Sequence, residues 1–319
     1  MEFRSIGDGA AALTVSVVGL GCNAFGRRID EARSAAVVHA ALDAGITFFD
    51  TAESYGGGES ETFIGRALGK RRKDVVIATK FGWGPGGAGA DGIARAVEGS
   101  LRRLGTDCID LYQLHKPDSA TPHEETLQAL DALVRTGKVR QIGCSNFSAA
   151  QLRAADAAAA ACGTARYVTA QNEYSVLDRD IEDGLAPACE ALGVGILPFY
   201  PLARGLLTGK YRRGEAPPPG SRLAAGGDWR VSGTLEQADF DTLEALESFA
   251  AARGHDLLAL AFSWLLAQKT VPTVIAGATR PEQVAANAAA ASWTMTGDDL
   301  AEIDRILGVA RRGHPRVKP

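Results

Sequence analysis

This chain lacks the usual makings of a metal centre or a disulfide framework. Its five cysteines are an odd number and include no Cys-x-x-Cys pair. Cys22, Cys108, Cys144, Cys162 and Cys189 therefore read as small core residues of a reducing compartment. The five histidines show no His-Glu-x-x-His or His-x-His spacing, and no Cys-His cluster occurs, so no metal site is expected. No Gly-x-x-x-x-Gly-Lys-[Ser/Thr] loop is present to cradle a nucleoside triphosphate. No apolar run approaches a membrane span, and Met1-Glu-Phe-Arg4 starts without a basic-then-apolar secretory pattern, which makes the cytoplasm the expected location. Neither charge sign dominates. A net charge of −4 argues against broad binding to nucleic acid or anionic membranes, while a local basic pocket for a phosphate stays open.

What is present is an ordinary globular composition, 46% hydrophobic and 23% charged over 319 residues. That length could hold two average domains, but an α/β barrel with insertions uses it as one, spanning residues 1–319. From Thr14 onward, short apolar runs alternate with helix-period segments, as in repeated βα units. The strand-like runs are Val15–Gly19, Thr47–Asp50, Val75–Thr79, Ile109–Leu114, Gln141–Cys144, Val168–Gln171, Val194–Phe199 and Thr273–Ala276. Most are continuously apolar, as strands buried on both faces are. Helices fill the gaps, for example Ser34–Ala44, Ile93–Leu104, Thr126–Thr136 and Ala149–Ala161, with Asp30 and Ser148 as N-caps and Gly105 and Gly137 as stops. Eight such strands predict a (β/α)₈ barrel of the TIM type. Three irregular pieces accompany it: a capping hairpin within residues 1–14, a Gly-rich loop at 82–92, and a long loop at 201–234 after strand 7. Long loops in compact domains are functional lids or disordered. After strand 8, helices are expected at Pro281–Ala291 and 298–307.

Four polar residues stand at or just past the C-terminal ends of strands 2, 3 and 4: Asp50, Tyr55, Lys80 and His115. In a parallel barrel those strand ends form one mouth, where catalytic groups collect. A phenol has an ordinary pKa near 10 and is a poor acid at neutral pH, whereas an ammonium beside it stabilises phenolate and eases proton donation. On this reading Tyr55 is the acid, Lys80 tunes it, Asp50 is the lysine's counter-ion and His115 orients a carbonyl. Singly, each has a plainer role, such as a helix cap, a strand-end charge, a packed ring or a turn residue. Their joint order favours the proton-transfer set.

Two look-alike motifs fail on context. Gly19-Leu-Gly21-Cys-Asn-Ala24 fits a dinucleotide fingerprint, but a polar loop, Asn23–Ile29, separates it from the Asp30 cap where the helix begins. Tyr112-Gln-Leu-His-Lys116 has a Tyr-x-x-x-Lys spacing that needs a helix to bring the two side chains together, and Ile109–Leu114 reads as a strand.

The chain resembles the aldo-keto reductase superfamily over nearly its whole length. The resemblance rests on Val17-Val-Gly-Leu-Gly21, Phe48-Phe-Asp-Thr-Ala-Glu-Ser-Tyr-Gly56, Gly137-Lys-Val-Arg-Gln-Ile-Gly-Cys-Ser-Asn-Phe147, Gln171-Asn-Glu-Tyr174, Tyr200-Pro-Leu-Ala-Arg-Gly-Leu-Leu-Thr-Gly-Lys210 and Gly277-Ala-Thr-Arg-Pro-Glu-Gln283. Its forms are closer to the bacterial and potassium-channel β-subunit branch than to the aldose reductase branch. The resemblance implies that Asp50, Tyr55, Lys80 and His115 are the catalytic tetrad and that the cofactor is NADP(H). It implies that Ser145, Asn146 and Gln171 hold the nicotinamide carboxamide, and that Phe199 or Tyr200 lies against the ring. Phe199 departs from the pattern if a tryptophan is expected there. Gly21 and Asn23, with Pro201, Leu202, Gly205, Leu207 and Lys210, would line the cofactor, the last four at its pyrophosphate. Gly277, Thr279, Arg280, Gln283 and Asn287 would take the adenosine half. Arg280, helped by Arg222, favours a 2′-phosphate and so NADP over NAD, since a guanidinium fork suits phosphate oxygens. No acidic residue occurs in 276–281 to prefer a free ribose hydroxyl.

Phe25, Trp83 and Trp229, beside Tyr55 and His115, are the candidate substrate residues. Their aromaticity suits small carbonyl or alcohol substrates without choosing among them. Two other function classes remain open at this stage. One is a nicotinamide-sensing binding subunit. The other is a class I aldolase with Lys80 forming a Schiff base. The oligomeric state is not legible.

Overall fold

The computed structural model describes residues 1–224 and 233–309. An antiparallel hairpin comes first, β1 (Phe3–Ile6) and β2 (Leu13–Ser16), in register from Phe3–Ser16 to Ile6–Leu13. Strand–helix units follow: β3 (Val18–Gly21) with α1 (Glu31–Asp43), β4 (Phe48–Asp50) with α2 (Glu59–Leu68), and β5 (Val76–Phe81) with α3 (Ala90–Leu104). Then come β6 (Ile109–Leu114) with α4 (His123–Arg135), β7 (Val139–Ser145) with α5 (Ala149–Cys162), and β8 (Tyr167–Glu173) with α6 (Leu185–Leu192). β9 (Gly195–Phe199) leads through a 3₁₀ turn at Ala203–Thr208 to α7 (Phe240–Ala251) and α8 (Leu257–Leu266). β10 (Val274–Gly277), α9 (Pro281–Ala290) and α10 (Gly297–Ile306) end the described chain.

The eight strands β3 to β10 form one parallel sheet in the order β10-β3-β4-β5-β6-β7-β8-β9. At the remaining seam the Ile196 N–H donates to the Thr270 carbonyl at 2.7 Å, so the sheet curls into a nearly closed (β/α)₈ barrel. The expected barrel and its N-terminal hairpin are both observed. One strand differs from the expectation. The run Val15–Gly19 is not a single strand, because Ser16 turns the chain aside. Its hydroxyl donates to the Val18 carbonyl at 2.7 Å and its N–H to Thr47 Oγ1 at 3.1 Å. β2 therefore ends in the hairpin and β3 opens the barrel.

Two apolar layers result. Inside the barrel, Phe48, Val76, Ala78, Leu111, Leu197 and Ile275 pack against Ile6, Leu13 and Val15 of the hairpin. The hairpin thus plugs the end where the strands begin. A larger cluster lies between the barrel and its helices and takes in most of α8, whose apolar run is almost wholly buried. Helix ends follow the expected chemistry. Asp30 accepts from the Arg33 N–H at 2.9 Å, Ser148 and Gln151 form a capping box, and Gly105 closes α3 at φ 62°. Among the cysteines, Cys22, Cys144 and Cys189 are buried as expected, but Cys108 is half-buried and Cys162 is exposed at the end of α5. An alanine-rich helix such as α5 needs little of its last turn for packing. Among the described residues no helix is long and apolar enough to cross a membrane.

Candidate active site

The barrel brings Asp50, Tyr55, Lys80 and His115 together at the C-terminal rim. Asp50 ends β4 and Lys80 is the penultimate residue of β5. Lys80 is wholly buried, and its Nζ donates to Asp50 Oδ1 at 2.8 Å, to Asp50 Oδ2 at 2.7 Å and to the Thr51 carbonyl at 2.8 Å. All three ammonium protons are thereby directed, which is what a buried cation requires. Tyr55 is carried into place by the turn after β4, with Gly56, Gly57 and Gly58 all at positive φ. A Cβ on Gly56 would come within 2.8 Å of the Phe25 carbonyl oxygen, so this turn can carry only glycine there. The Lys80 ammonium lies 5.1 Å from the centre of the Tyr55 ring, and the Tyr55 and His115 rings meet edge to face at 5.7 Å.

The electrostatics differ from the simplest expectation. Burial would push the Lys80 ammonium down, but Asp50 and then Tyr55 outweigh it and hold it above its ordinary value. Burial raises the Tyr55 phenol, and Lys80 pulls it back only in part because Asp50 and Tyr200 oppose the lysine. In the ligand-free site the phenol therefore keeps its proton, rather than being acidified outright. His115 is pushed down to about 3, by burial first and then by Lys80 and Lys116. Its imidazole is neutral at physiological pH, and its Nδ1 is buried with no hydrogen-bond partner among the described residues.

Polar groups from β7 and β8 close the rim. Ser145 Oγ donates to the Gln171 carbonyl at 2.8 Å, and Asn146 Nδ2 donates to the His115 carbonyl at 2.9 Å. Gln171 Nε2 donates to Asp50 Oδ1 at 2.9 Å, tying β8 to the tetrad. The side-chain oxygens of Asn146 and Gln171 accept from no donor among the described residues, so both can receive the N–H groups of a carboxamide. Asn146 stands at φ 62°.

The loop after β9 is strained in the same way. Tyr200, Ala203 and Arg204 lie at φ 53°, 45° and 58°. Among the described residues, these and Asn146 are the non-glycine residues at positive φ, and all four sit at the mouth. Such conformations cost of order 1–3 kcal/mol each and collect where a ligand is clamped. Phe199 packs edge to face on Tyr200 at 5.3 Å, and the guanidinium groups of Arg204 and Arg222 lie 5.2 and 4.9 Å from the Tyr200 ring. Arg204 is anchored by Glu173 at 2.6 Å. Leu207 is buried, while Pro201, Leu202, Gly205 and Lys210 follow the same loop, Lys210 stacking on Tyr211 at 5.1 Å.

Within the sheet, Gly21 of β3 pairs with Gly277 of β10, and the Asn23 side chain lies beside Gly277. Pro281 occupies the first turn of α9 as expected, and its N-cap Arg280 is exposed and makes no side-chain cap. Pro281 has no N–H and the Gln283 N–H donates to the Arg280 carbonyl at 3.2 Å, so the exposed Arg280 guanidinium rather than the helix amides is the group available to an anion. Gln283 Oε1 accepts from the Thr279 N–H at 2.8 Å, and Asn287 is buried one turn further on.

Of the candidate substrate residues, Trp83 stands at the mouth, 5.8 Å from His115 at right angles. Phe25 does not. It is fully buried in the cluster between barrel and helices because its chain folds inward through the Phe25–Ile29 bridge. It is core, not pocket wall. Trp229 lies outside the described residues. Sequence reasoning missed Glu53 and the Glu173–Arg204 pair. Glu53 carried no signal beyond its place in Asp50–Tyr55, and Glu173 and Arg204 are 31 residues apart. A separate cavity of about 390 Å³ lies between α2 and α3, lined by Thr62, Arg66, Arg102 and Arg103, and shares no residue with the tetrad.

The fold is a (β/α)₈ barrel with a buried Asp–Lys pair beside a tyrosine and a histidine at its C-terminal mouth. Residues 17–307 match the aldo/keto reductase family, and the chain belongs to that family. It is 35% identical to the aldo-keto reductase YhdN of Bacillus subtilis, over 96% of this chain and 94% of that protein. It is 34% identical to a probable voltage-gated potassium channel subunit beta of Oryza sativa, over 90% of each. Among solved structures, the glycerol dehydrogenase AKR11B4 from Gluconobacter oxydans superimposes with a TM-score of 0.82 at 31% identity, covering 95% of each chain.

Proposed function

We propose that this protein is an NADP(H)-dependent reductase of small aldehydes or ketones, or equally an alcohol dehydrogenase in the reverse direction, with Tyr55 as the general acid. The carrying observation is the buried Lys80 ammonium, held by both Asp50 oxygens and set against the Tyr55 ring. A bound nicotinamide would supply or accept the hydride at the carbonyl carbon. This chain's own residues do the rest. Tyr55 holds the proton that the carbonyl oxygen takes as it becomes an alkoxide. Lys80 steadies the phenolate left behind, and its strength comes from the low-dielectric surroundings. Neutral His115 donates a hydrogen bond to the carbonyl oxygen without adding charge. Asn146 and Gln171 orient the carboxamide, and Tyr200 walls the ring.

The exposed Arg280 at the N-cap of α9 supports a 2′-phosphate and hence NADP. A Schiff-base role for Lys80 fits poorly, since an ammonium engaged by three oxygens is a poor nucleophile. A complete tetrad likewise favours turnover over cofactor sensing alone. Alcohol oxidation is in keeping with the glycerol dehydrogenase likeness.

The test is a panel of aldehydes, ketones, sugars and polyols with NADPH and NADP, repeated on Tyr55→Phe. The substitution is expected to lower kcat by about 10²–10⁴, the range of general acid catalysis, and to spare cofactor affinity. Near-wild-type turnover with chemistry rate-limiting would remove Tyr55 from the mechanism.

A further inference from the structure

Glu53 lies between Asp50 and Tyr55 on the turn that presents both, yet none of its bonds goes to the tetrad side chains. Its N–H donates to the Lys80 carbonyl at 3.0 Å, fixing the turn to the end of β5. Its Oε1 accepts from the backbone N–H groups of Gly82, Trp83 and Gly84 at 3.0, 3.2 and 3.4 Å. Three successive amides converging on one oxygen form a concavity of the kind that binds anions, and here the protein supplies the anion itself. The residue held in that concavity is Trp83, whose side chain is 57% exposed. Met1 and Phe3 are the other exposed large hydrophobics among the described residues, and they belong to the segment at the opposite end of the barrel. Among the described residues Trp83 belongs to neither buried apolar cluster. Its backbone is pinned by Glu53, one ring face carries the Lys116 ammonium at 4.1 Å, and the ring stands perpendicular to His115.

We infer that Glu53 is a positioning residue that sets substrate specificity, fixing Trp83 as a planar wall beside His115 that favours aromatic carbonyl compounds over small polyhydroxylated aldehydes. This rests on the reductase reading above. A flat aromatic substrate with its carbonyl at Tyr55 and His115 gains ring contact with the wall, and a three-carbon polyol aldehyde gains none. Loss of Glu53 releases the Gly82–Gly84 backbone and with it the wall, while the Asp50–Lys80–Tyr55 arrangement keeps its own bonds.

The experiment uses the full chain with NADPH, taking 4-nitrobenzaldehyde and glyceraldehyde as probes, on wild type, Glu53→Ala, Glu53→Gln, Trp83→Ala and the Glu53→Ala/Trp83→Ala pair. Glu53→Ala is expected to raise KM for 4-nitrobenzaldehyde about tenfold, the scale of one aromatic contact, with kcat and the glyceraldehyde KM unchanged. Glu53→Gln keeps an acceptor oxygen and should recover most of the loss. In the Trp83→Ala background, removing Glu53 should add nothing. Amide exchange at Gly82–Gly84 should quicken in ligand-free Glu53→Ala. Equal KM changes for both aldehydes, an additive double variant or unchanged exchange would overturn the inference while leaving the reductase reading intact. A wild type that turns over neither aldehyde with NADPH or NADH would overturn that reading itself.

Discussion

Lys80 concentrates the physics of the site in one side chain. Its burial would be prohibitive without Asp50, and the pair together would cost stability without the Thr51 carbonyl and Gln171 completing the bonds. Lys80→Met is therefore expected to do two things at once. It should abolish most turnover, and by leaving Asp50 buried without its partner it should cost about 3–5 kcal/mol of stability. Kinetics and a denaturant titration read the two effects separately. A variant of wild-type stability would show that the burial of Asp50 does not depend on Lys80.

His115 makes a prediction about pH. Its imidazole is held down to about 3, against an ordinary value of 6.5. The native state refuses a proton that the unfolded chain accepts, so this group's contribution is whole above about pH 6.5 and is lost as pH falls toward about 3. Across that window the loss approaches about 1.4 kcal/mol per pH unit. Denaturant midpoints from pH 7 to pH 4 should fall more steeply for wild type than for His115→Asn. Parallel slopes would show that His115 titrates normally. The same depression predicts no inflection from His115 in the pH–rate profile between pH 5 and 8.

Among the elements, α9 makes the sharpest prediction. Its first turn lacks a side-chain cap, and Arg280 stands just before Pro281. Arg280→Ala should weaken NADPH binding roughly ten- to a hundredfold, the worth of one charge-assisted contact, and leave NADH nearly unaffected. Fluorescence titration with both cofactors decides it, and a variant that keeps its full preference would move the 2′-phosphate site elsewhere. This element was readable in advance because Pro at a helix start and a Gly-containing turn before it are local signals. The barrel strands were readable for a similar reason, since continuous apolar runs need no tertiary information. What could not be read is what depends on distance in the chain. The hydroxyl of Ser16 splits an apolar run by accepting from the Thr47 N–H at 2.9 Å, 31 positions away. Phe25 looks like a mouth aromatic until the local fold turns it inward. The tetrad order was legible, but the net rise of the Tyr55 pKa was not. It depends on Asp50 and burial opposing Lys80, a balance set by three-dimensional placement.

On the scale of the whole molecule, the hairpin closes the barrel end opposite the site. Leu13 is fully buried there among Ile6, Phe48 and Leu111. Leu13→Ala should cost about 2–5 kcal/mol, the range for a large-to-small change in a packed core, with kcat, KM and cofactor affinity unmoved at temperatures where the variant is folded. Chemical denaturation and kinetics at 25 °C give the two readings. A change in kinetic constants would mean that the plug and the mouth are coupled through the barrel.

The strained loop after β9 carries a consequence for how such a protein changes over time. Tyr200, Ala203 and Arg204 hold backbone conformations that side chains resist, so drift at those positions toward glycine or asparagine would relax the fold while loosening its grip on a ligand. Selection for robustness alone would erode the mouth. Tightening of the plug is a route by which the chain could grow sturdier and leave its chemistry untouched. Lineages pressed toward heat tolerance should therefore collect their substitutions around Ile6, Leu13 and Val15 and keep the awkward loop as it is.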